Sequence, residues 1–337
     1  MSRDNFRIST LDGARGIAAF SILLFHLYGS GTKYFQSLYL AVDFFFVLSG
    51  FVLAKSIEKI MTFRDLMHFL WKRLIRIYPM MLSIFLFTTF YDVTLIIKHA
   101  YFNEPQIAPL FLQPQIMVAS LLILQVFSHK SQLIDFPIWS LSAEWIINIT
   151  AALIKFFKLK LRTLLIALGI LFIAYGLLMK NETLTQIGRA SYGFGFGILM
   201  STSHSQRFRS RYHIYIALFF VLLCYYFAIN YPNIIYILAA PIFSLLVLSL
   251  SRVRIKNLRI NSWMLDAGEY SYGFYLWHFP IVSIFGIVSK KINYKSTILS
   301  IKFLELALIT MVTILCVHVC KKYLEIPMQT RLRKRLT

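Results

Sequence analysis

The sequence predicts an all-α fold, a polytopic bundle of about ten transmembrane helices with both termini in the cytoplasm, and three observations predict it. First, 58% of the 337 residues are apolar and the mean hydropathy is +0.67, too apolar for a soluble domain of ordinary composition. Second, the apolar residues gather into runs near the ~20 residues a helix needs to cross a bilayer. Third, the charges stand between those runs, with 35 Lys and Arg against 14 Asp and Glu, in clusters that sort to one side under the positive-inside rule. A net charge of +21 in a soluble chain suggests nucleic acid. Here the charges punctuate apolar segments, so they set topology and the partner is the lipid bilayer, with no nucleic acid expected.

The runs are residues 11–29, 37–57, 79–98, 138–157, 162–180, 186–202, 212–230, 233–251, 269–289 and 297–320. The first imitates a signal peptide, with Arg3 and Arg7 ahead of it, but Asp12, Arg15 and His26 interrupt it and no A-x-A site follows, so an uncleaved helix is expected. Residues 116–127 are short, and follow a loop with Pro105, Pro109 and Pro114. If this segment does not cross, the clusters around Arg3–Arg7–Arg15, Lys55–Arg76, Lys155–Arg162, Arg207–Arg211, Arg252–Arg259 and Lys321–Arg335 all fall on the cytoplasmic side. If it crosses, the bias collapses, which favours ten spans. Residues 64–78 mix cations with Leu66, Phe69, Leu70 and Leu74 and read as an amphipathic helix along the cytoplasmic surface, with Pro79 starting the third span. The whole chain, 1–337, is expected to be one membrane domain with a basic cytoplasmic tail at 321–337.

Ionisable residues within the spans carry the chemistry, because their cost in a bilayer makes function the default reading. Arg15 and His26 are eleven steps of 100° apart, so they share one face of the first helix about 16 Å from each other. An imidazole with an unperturbed pKa near ~6.5 can accept and return a proton; a packing histidine is the alternative. Asp43 falls in the outer half of the second span, and Glu144 near the outer end of the fourth, in FPIWSLSAEWIIN. Either carboxylate can be structural: Asp43 as partner of a helix-end cation, Glu144 as a cap. His278, ahead of Phe279 and Pro280, either bonds to carbonyls freed at the proline or serves the reaction. His68, His99, His129, His204 and His213 lie in or beside loops and are expected to be solvated or interfacial. Cys224, Cys316 and Cys320 sit in apolar runs without metal-ligand spacing, so no metal site and no disulfide framework are expected.

The motifs RGIAAFSILLFH, VDFFFVLSGFVL, WKRLIRIYP, WSLSAE, SYGFYLWHFP and LEIPMQTRLRK, in that order, resemble the acyltransferase family 3 of membrane-bound acyltransferases, which includes O-acetylases of bacterial lipopolysaccharide, exopolysaccharide, peptidoglycan and Nod-factor glycans. The resemblance runs from about Leu11 to Arg333, and its signature Arg–His pair maps onto Arg15 and His26. One departure is that Glu144 is followed by WIIN, where relatives commonly continue with an acidic residue and a Phe-Tyr pair. No counterpart of the extracellular hydrolase-like domain of some members is expected, which would leave acceptor handling to the membrane domain.

The resemblance implies transfer of an acyl group, most often acetyl, from acyl-CoA to a hydroxyl of an envelope or exported carbohydrate, free or lipid-linked, in a bacterial inner membrane. It implies acetyl-CoA as a donor and no permanently bound cofactor. The donor's phosphates then pair with Arg73 and Arg76, and with Arg15, Arg331 and Arg333 as further candidates. His26 is expected to act as general base, oriented by Asp43 or Glu144, or else to be acylated itself in a two-step path. Arg15 is a candidate for the oxyanion if the site bends toward it, and His278 for an acceptor-side group. A transporter or flippase is the alternative function, since buried charges also mark solute pathways, although no internal repeat is visible. A receptor or scaffold without chemistry is the third.

Overall fold

The computed structural model describes residues 7–29, 31–102, 112–127, 137–202, 212–291 and 299–334. Arg3, Arg207, Arg209, Arg211, Arg335, His129, His204, Pro105 and Pro109 lie outside the described residues. Helices make up the fold, and no strand occurs among the described residues. They are α1 Ser9–Tyr28, α2 Lys33–Gln36, α3 Ala41–Glu58, α4 Phe63–Phe102, α5 Pro114–Leu121, α6 Ile138–Phe156, α7 Leu161–Leu178, α8 Glu182–Ser201, α9 Tyr212–Asn230, α10 Pro232–Leu250, α11 Leu258–Lys291, α12 Leu299–Cys320 and α13 Ile326–Arg333. Among the described residues, eight helical segments are long and apolar enough to cross a membrane. The chain divides into two compact units: one formed by residues up to Leu70 together with Ala143–Tyr272, the other by Trp71–Ser142 with Gly273 onward.

In the first unit, α8 is the central element, packed against α3, α7 and α10. Its sequence, ETLTQIGRASYGFGFGILMS, is too polar to stand among the eight apolar segments, although the 186–202 run predicted a span there. A helix enclosed by other helices need not be apolar on every face, and small residues let backbones approach. Gly197 and Gly50 show the requirement: a β-carbon on Gly197 lands on the Val47 carbonyl oxygen, and one on Gly50 lands on that of Phe194. Gly197→Val is therefore expected to force α3 and α8 apart, costing about 1–3 kcal/mol or more. A lowered thermal midpoint of the solubilised protein checks this, and an unchanged midpoint contradicts the packing. The core around α8 includes Val47, Ile57, Leu165 and Val247, all wholly buried. Helix α6 likewise falls outside the eight apolar segments because Glu144, Asn148, Lys155, Ser140, Ser142 and Thr150 interrupt its apolar residues.

The second unit holds most of α4, then α5, the C-terminal part of α11, and α12 and α13. Trp277 of α11 donates from Nε1 to the Ser83 hydroxyl of α4 at 3.2 Å, and its ring lies 5.1 Å from that of Phe87. At the 116–127 run, the eight-residue α5 ends at Leu121, and two residues on Ile123 takes a φ of 58°. A helix of that length rises ~12 Å, well short of the ~30 Å hydrocarbon core. The stop is held by Ser142, whose hydroxyl donates to the Ile123 carbonyl at 2.9 Å and accepts from the Val126 amide at 3.2 Å.

Three boundaries differ from expectation. The amphipathic stretch and the third span form one continuous helix, α4, with Pro79 in its interior. Proline removes one main-chain bond and kinks a helix, but surrounding helices let it continue. Helix α11 begins well before residue 269, at Leu258, where the Asn257 side chain accepts from the Arg259 and Ile260 amides and so supplies the N-terminal cap. The basic tail is helical to Arg333, reached through a π turn at Lys321–Glu325; Pro327 has no amide to give a regular i→i−4 bond at that point.

Candidate active site

Helix α1 is continuous from Ser9 to Tyr28, so Arg15 and His26 do share one helix at the predicted register. Arg15 is tied at its own end: its Nη1 donates to Asp12 Oδ1 at 3.4 Å, while Arg7 Nε holds Asp12 Oδ2 at 3.0 Å. Arg7 also donates to the Leu265 carbonyl and approaches Glu269 at 3.9 Å. Asp12 is buried and Arg15 half-buried. Gly268 makes room for this carboxylate, because a β-carbon there would stand 2.6 Å from Asp12 Oδ1. The result is an ion-paired cluster of two arginines and two carboxylates about three turns from the imidazole.

His26 lies in the last turn of α1 and is half-buried, its ring edge-on to Phe25 at 4.8 Å. Phe25 in turn meets Tyr39 at 6.2 Å, and Tyr39 meets Tyr236 at 6.3 Å. Over these two tyrosines sits a guanidinium that the sequence reading did not single out. Arg189 of α8 is 4.7 Å from the Tyr236 ring centre and 5.4 Å from that of Tyr39. It forks onto Asp43, with Nε to Oδ1 at 3.1 Å and Nη2 to Oδ2 at 2.6 Å, and both side chains are buried. Both oxygens of Asp43 are thus engaged by a bidentate charge-assisted pair. Asp43 has the structural partner left open by sequence, although the partner is a mid-bundle arginine instead of a helix-end cation.

Glu144, half-buried on α6, accepts the Ser49 hydroxyl of α3 through Oε1 at 2.6 Å. One turn further along α6, on the same face by the i, i+4 rule, is Asn148. It is fully buried, and neither atom of its amide has a hydrogen-bond partner among the described residues. A buried amide in that condition offers two donors and an acceptor to whatever enters beside it.

The remaining predicted residues belong to the second unit. His278 is completely buried, and its Nδ1 lies 3.3 Å from the Phe274 carbonyl oxygen. A carbonyl can only accept, so Nδ1 carries the proton in that bond and the neutral ring keeps its acceptor lone pair on Nε2. Pro280 frees the Leu276 carbonyl, not that of Phe274, so the bond is an ordinary back-bond within α11. Tyr275 beside it shares a 2.6 Å hydrogen bond with Ser140 and donates to the Pro137 carbonyl at 3.0 Å. Arg73 and Arg76, both half-buried, are three residues apart on α4 and share a face. Arg331 and Arg333 are exposed on α13; two residues apart on a helix, they point to different sides, so they do not form one clamp. Arg333 donates to Gln329 at 3.4 Å.

Of the residues sequence reasoning missed, Arg189 carried the same signal as Arg15, a lone cation inside an apolar run. Asp12 was visible as an interruption of the first span, and Ser49 and Asn148 stood out by nothing but position. Among the described residues no three His, Cys, Asp or Glu side chains are grouped to hold a metal ion, and the three cysteines are free.

Eight helical segments long and apolar enough to cross a bilayer define the class as an integral membrane protein, and ionisable side chains such as Arg15, His26 and Asp43 lie within those segments. The acyltransferase family 3 domain matches residues 8–320, and the chain belongs to that family; it is a membrane acyltransferase. No curated protein and no solved structure matches it.

Proposed function

We propose that the protein transfers an acyl group, acetyl by preference, from acyl-CoA to a hydroxyl of an envelope or exported carbohydrate, in a bacterial inner membrane with its basic clusters facing the cytoplasm. The observation that carries this reading is that the acyltransferase match over residues 8–320 takes in every ionisable residue that the sequence pointed to for the reaction: Arg15, His26, Asp43, Glu144 and His278.

In the proposed reaction the acceptor hydroxyl oxygen attacks the thioester carbonyl while His26 takes its proton, because an alcohol is a poor nucleophile at neutral pH. The tetrahedral oxyanion collapses, the carbon–sulfur bond breaks, and the imidazolium returns the proton to the thiolate. The products are an ester and the CoA thiol, and the base is regenerated. Glu144 is assigned the task of orienting and stabilising the imidazolium, since Asp43 is bound at both oxygens by Arg189. Asp43 then acts by fixing α3 to α8. The donor's phosphates are assigned to Arg73 and Arg76, whose shared face suits a phosphate better than the divergent Arg331 and Arg333. His278 is assigned to the acceptor side.

Asn148 is assigned to an amide of the donor's pantetheine arm, which would satisfy its donor and acceptor together. Asn148→Leu is then expected to raise the KM for acyl-CoA several-fold with kcat nearly unchanged, the pattern of lost uniform binding; an unchanged KM removes Asn148 from the donor path. The function itself is tested by mass spectrometry of the host's surface glycans with the gene present or deleted. A gain of about 42 Da per modified sugar, the mass an acetyl group adds as the transfer product, is the expected result. Identical glycans with the protein present in the membrane would contradict acetyl transfer to a surface glycan.

A further inference from the structure

At the lysine- and arginine-rich end of the first unit, a groove of about 730 Å³ runs between α6, α7 and α8, with α3 contributing Glu58. Its chemistry is graded. Lys155, Lys160 and Arg162 line it against the single carboxylate Glu58, and beyond them the walls are apolar, with Ile166, Ile170 and Ile198.

The gradient follows from the helix. Arg162, Ile166 and Ile170 are spaced four apart on α7, so they form one stripe with about 6 Å between successive side chains. The stripe passes from cation to hydrocarbon-facing residue, and Ile170 is 44% exposed. Arg162 is oriented by donating to the Thr202 hydroxyl at 3.0 Å, which holds it across the α7–α8 seam. Lys160 is the N-cap residue of the 18-residue α7 and lines the groove together with Leu161, so the positive helix end lies beside the cations. The turn before it is built to place these side chains. Lys158 takes a φ of 57°, and the Lys158 and Leu159 amides close onto the Lys155 and Ile154 carbonyls.

From this we infer that the groove is a binding site for an anionic glycerophospholipid of the surrounding bilayer, its phosphate among Lys155, Lys160 and Arg162 and one acyl chain along Ile166 and Ile170. A soluble phosphate would use the cations but leave the apolar stripe idle. An uncharged lipid would use the stripe but leave three cations facing one carboxylate. An amphiphile with a phosphate head fits both halves, as basic pockets between membrane helices generally do. The inference is independent of the acyl-transfer reading.

The test is native mass spectrometry of the whole protein released from nanodiscs containing phosphatidylglycerol and phosphatidylcholine. The expected result is retention of one phosphatidylglycerol, preferred about tenfold or more over phosphatidylcholine. The preference should be lost in the K155Q/K160Q/R162Q variant. Ala167→Trp, which fills the apolar half and keeps every cation, should also expel the lipid, so a triple variant that fails to fold does not remove the test. Equal retention of the two lipids, or retention unchanged in the variants, overturns the inference. Displacement of the lipid by millimolar adenosine 3′,5′-bisphosphate also overturns it, and assigns the groove to a nucleotide phosphate.

Discussion

His26→Ala is expected to abolish acyl transfer while leaving the protein inserted, folded and able to bind its donor. The loss should be about 10²–10⁴-fold, the usual contribution of a positioned general base. The fold is expected to survive because His26 is half-buried near the end of α1, where its ring meets Phe25 edge-on instead of filling the core. The measurement is acyl transfer at matched expression, with donor binding followed separately. Full activity in His26→Ala would end the mechanism. A labelled acyl group trapped on His26 when acceptor is withheld would select the two-step path over direct attack.

The second large effect concerns Arg189. Arg189→Leu leaves Asp43 as a buried, unpaired carboxylate beside Tyr39, and breaking one partner of such a pair costs about 3–5 kcal/mol. The loss of the guanidinium from above the two tyrosine rings adds to that. The variant should therefore fail to accumulate, or unfold far below the wild type in detergent. The double variant Asp43→Leu with Arg189→Met should recover most of the stability, because replacing both charges by apolar groups of similar volume removes the desolvation cost along with the attraction. Stability equal to wild type in Arg189→Leu would contradict the pair as described. Asp43→Asn is the milder probe: it keeps the shape, loses the charge, and should lower stability before it alters the transfer chemistry.

These two residues show how far the sequence could be read. The Arg15–His26 register was legible because helical geometry converts a spacing of eleven into a direction, and α1 confirms it as one unbroken helix. The family was legible because six short motifs keep their order. The Asp43–Arg189 pair was not, since the partners are 146 residues apart and nothing local says which of several intramembrane charges meet. The rule that exposed Arg15, that a charge inside an apolar run needs a reason, applied equally to Arg189 and would have flagged it, without naming Asp43 as its partner.

Helix ends were harder to read for a physical reason. Hydropathy detects the lipid-facing stretch and misses the helix beyond it, so the polar first turns of α11 and the basic end of α4 were separated from the spans they continue. Pro79 reinforced that error, because a proline suits a first turn as well as a kink. The polarity of α8 has the same origin in reverse: a helix buried among helices can afford Arg189 and a row of glycines, and its sequence then looks less like a span. The two serines of WSLSAE illustrate a last limit. Their role in holding α5 and Tyr275 depends on distant backbone atoms, and no spacing in the motif announces it.

The most direct test of the account is acyl-CoA turnover by the purified protein in nanodiscs, with release of the CoA thiol measured in the presence and absence of glycans extracted from a host strain lacking the gene. The expected result is thiol release that depends on the glycan, that leaves an ester on it, and that disappears in His26→Ala. Release that ignores the glycan, or that is equal in wild type and His26→Ala, would contradict it.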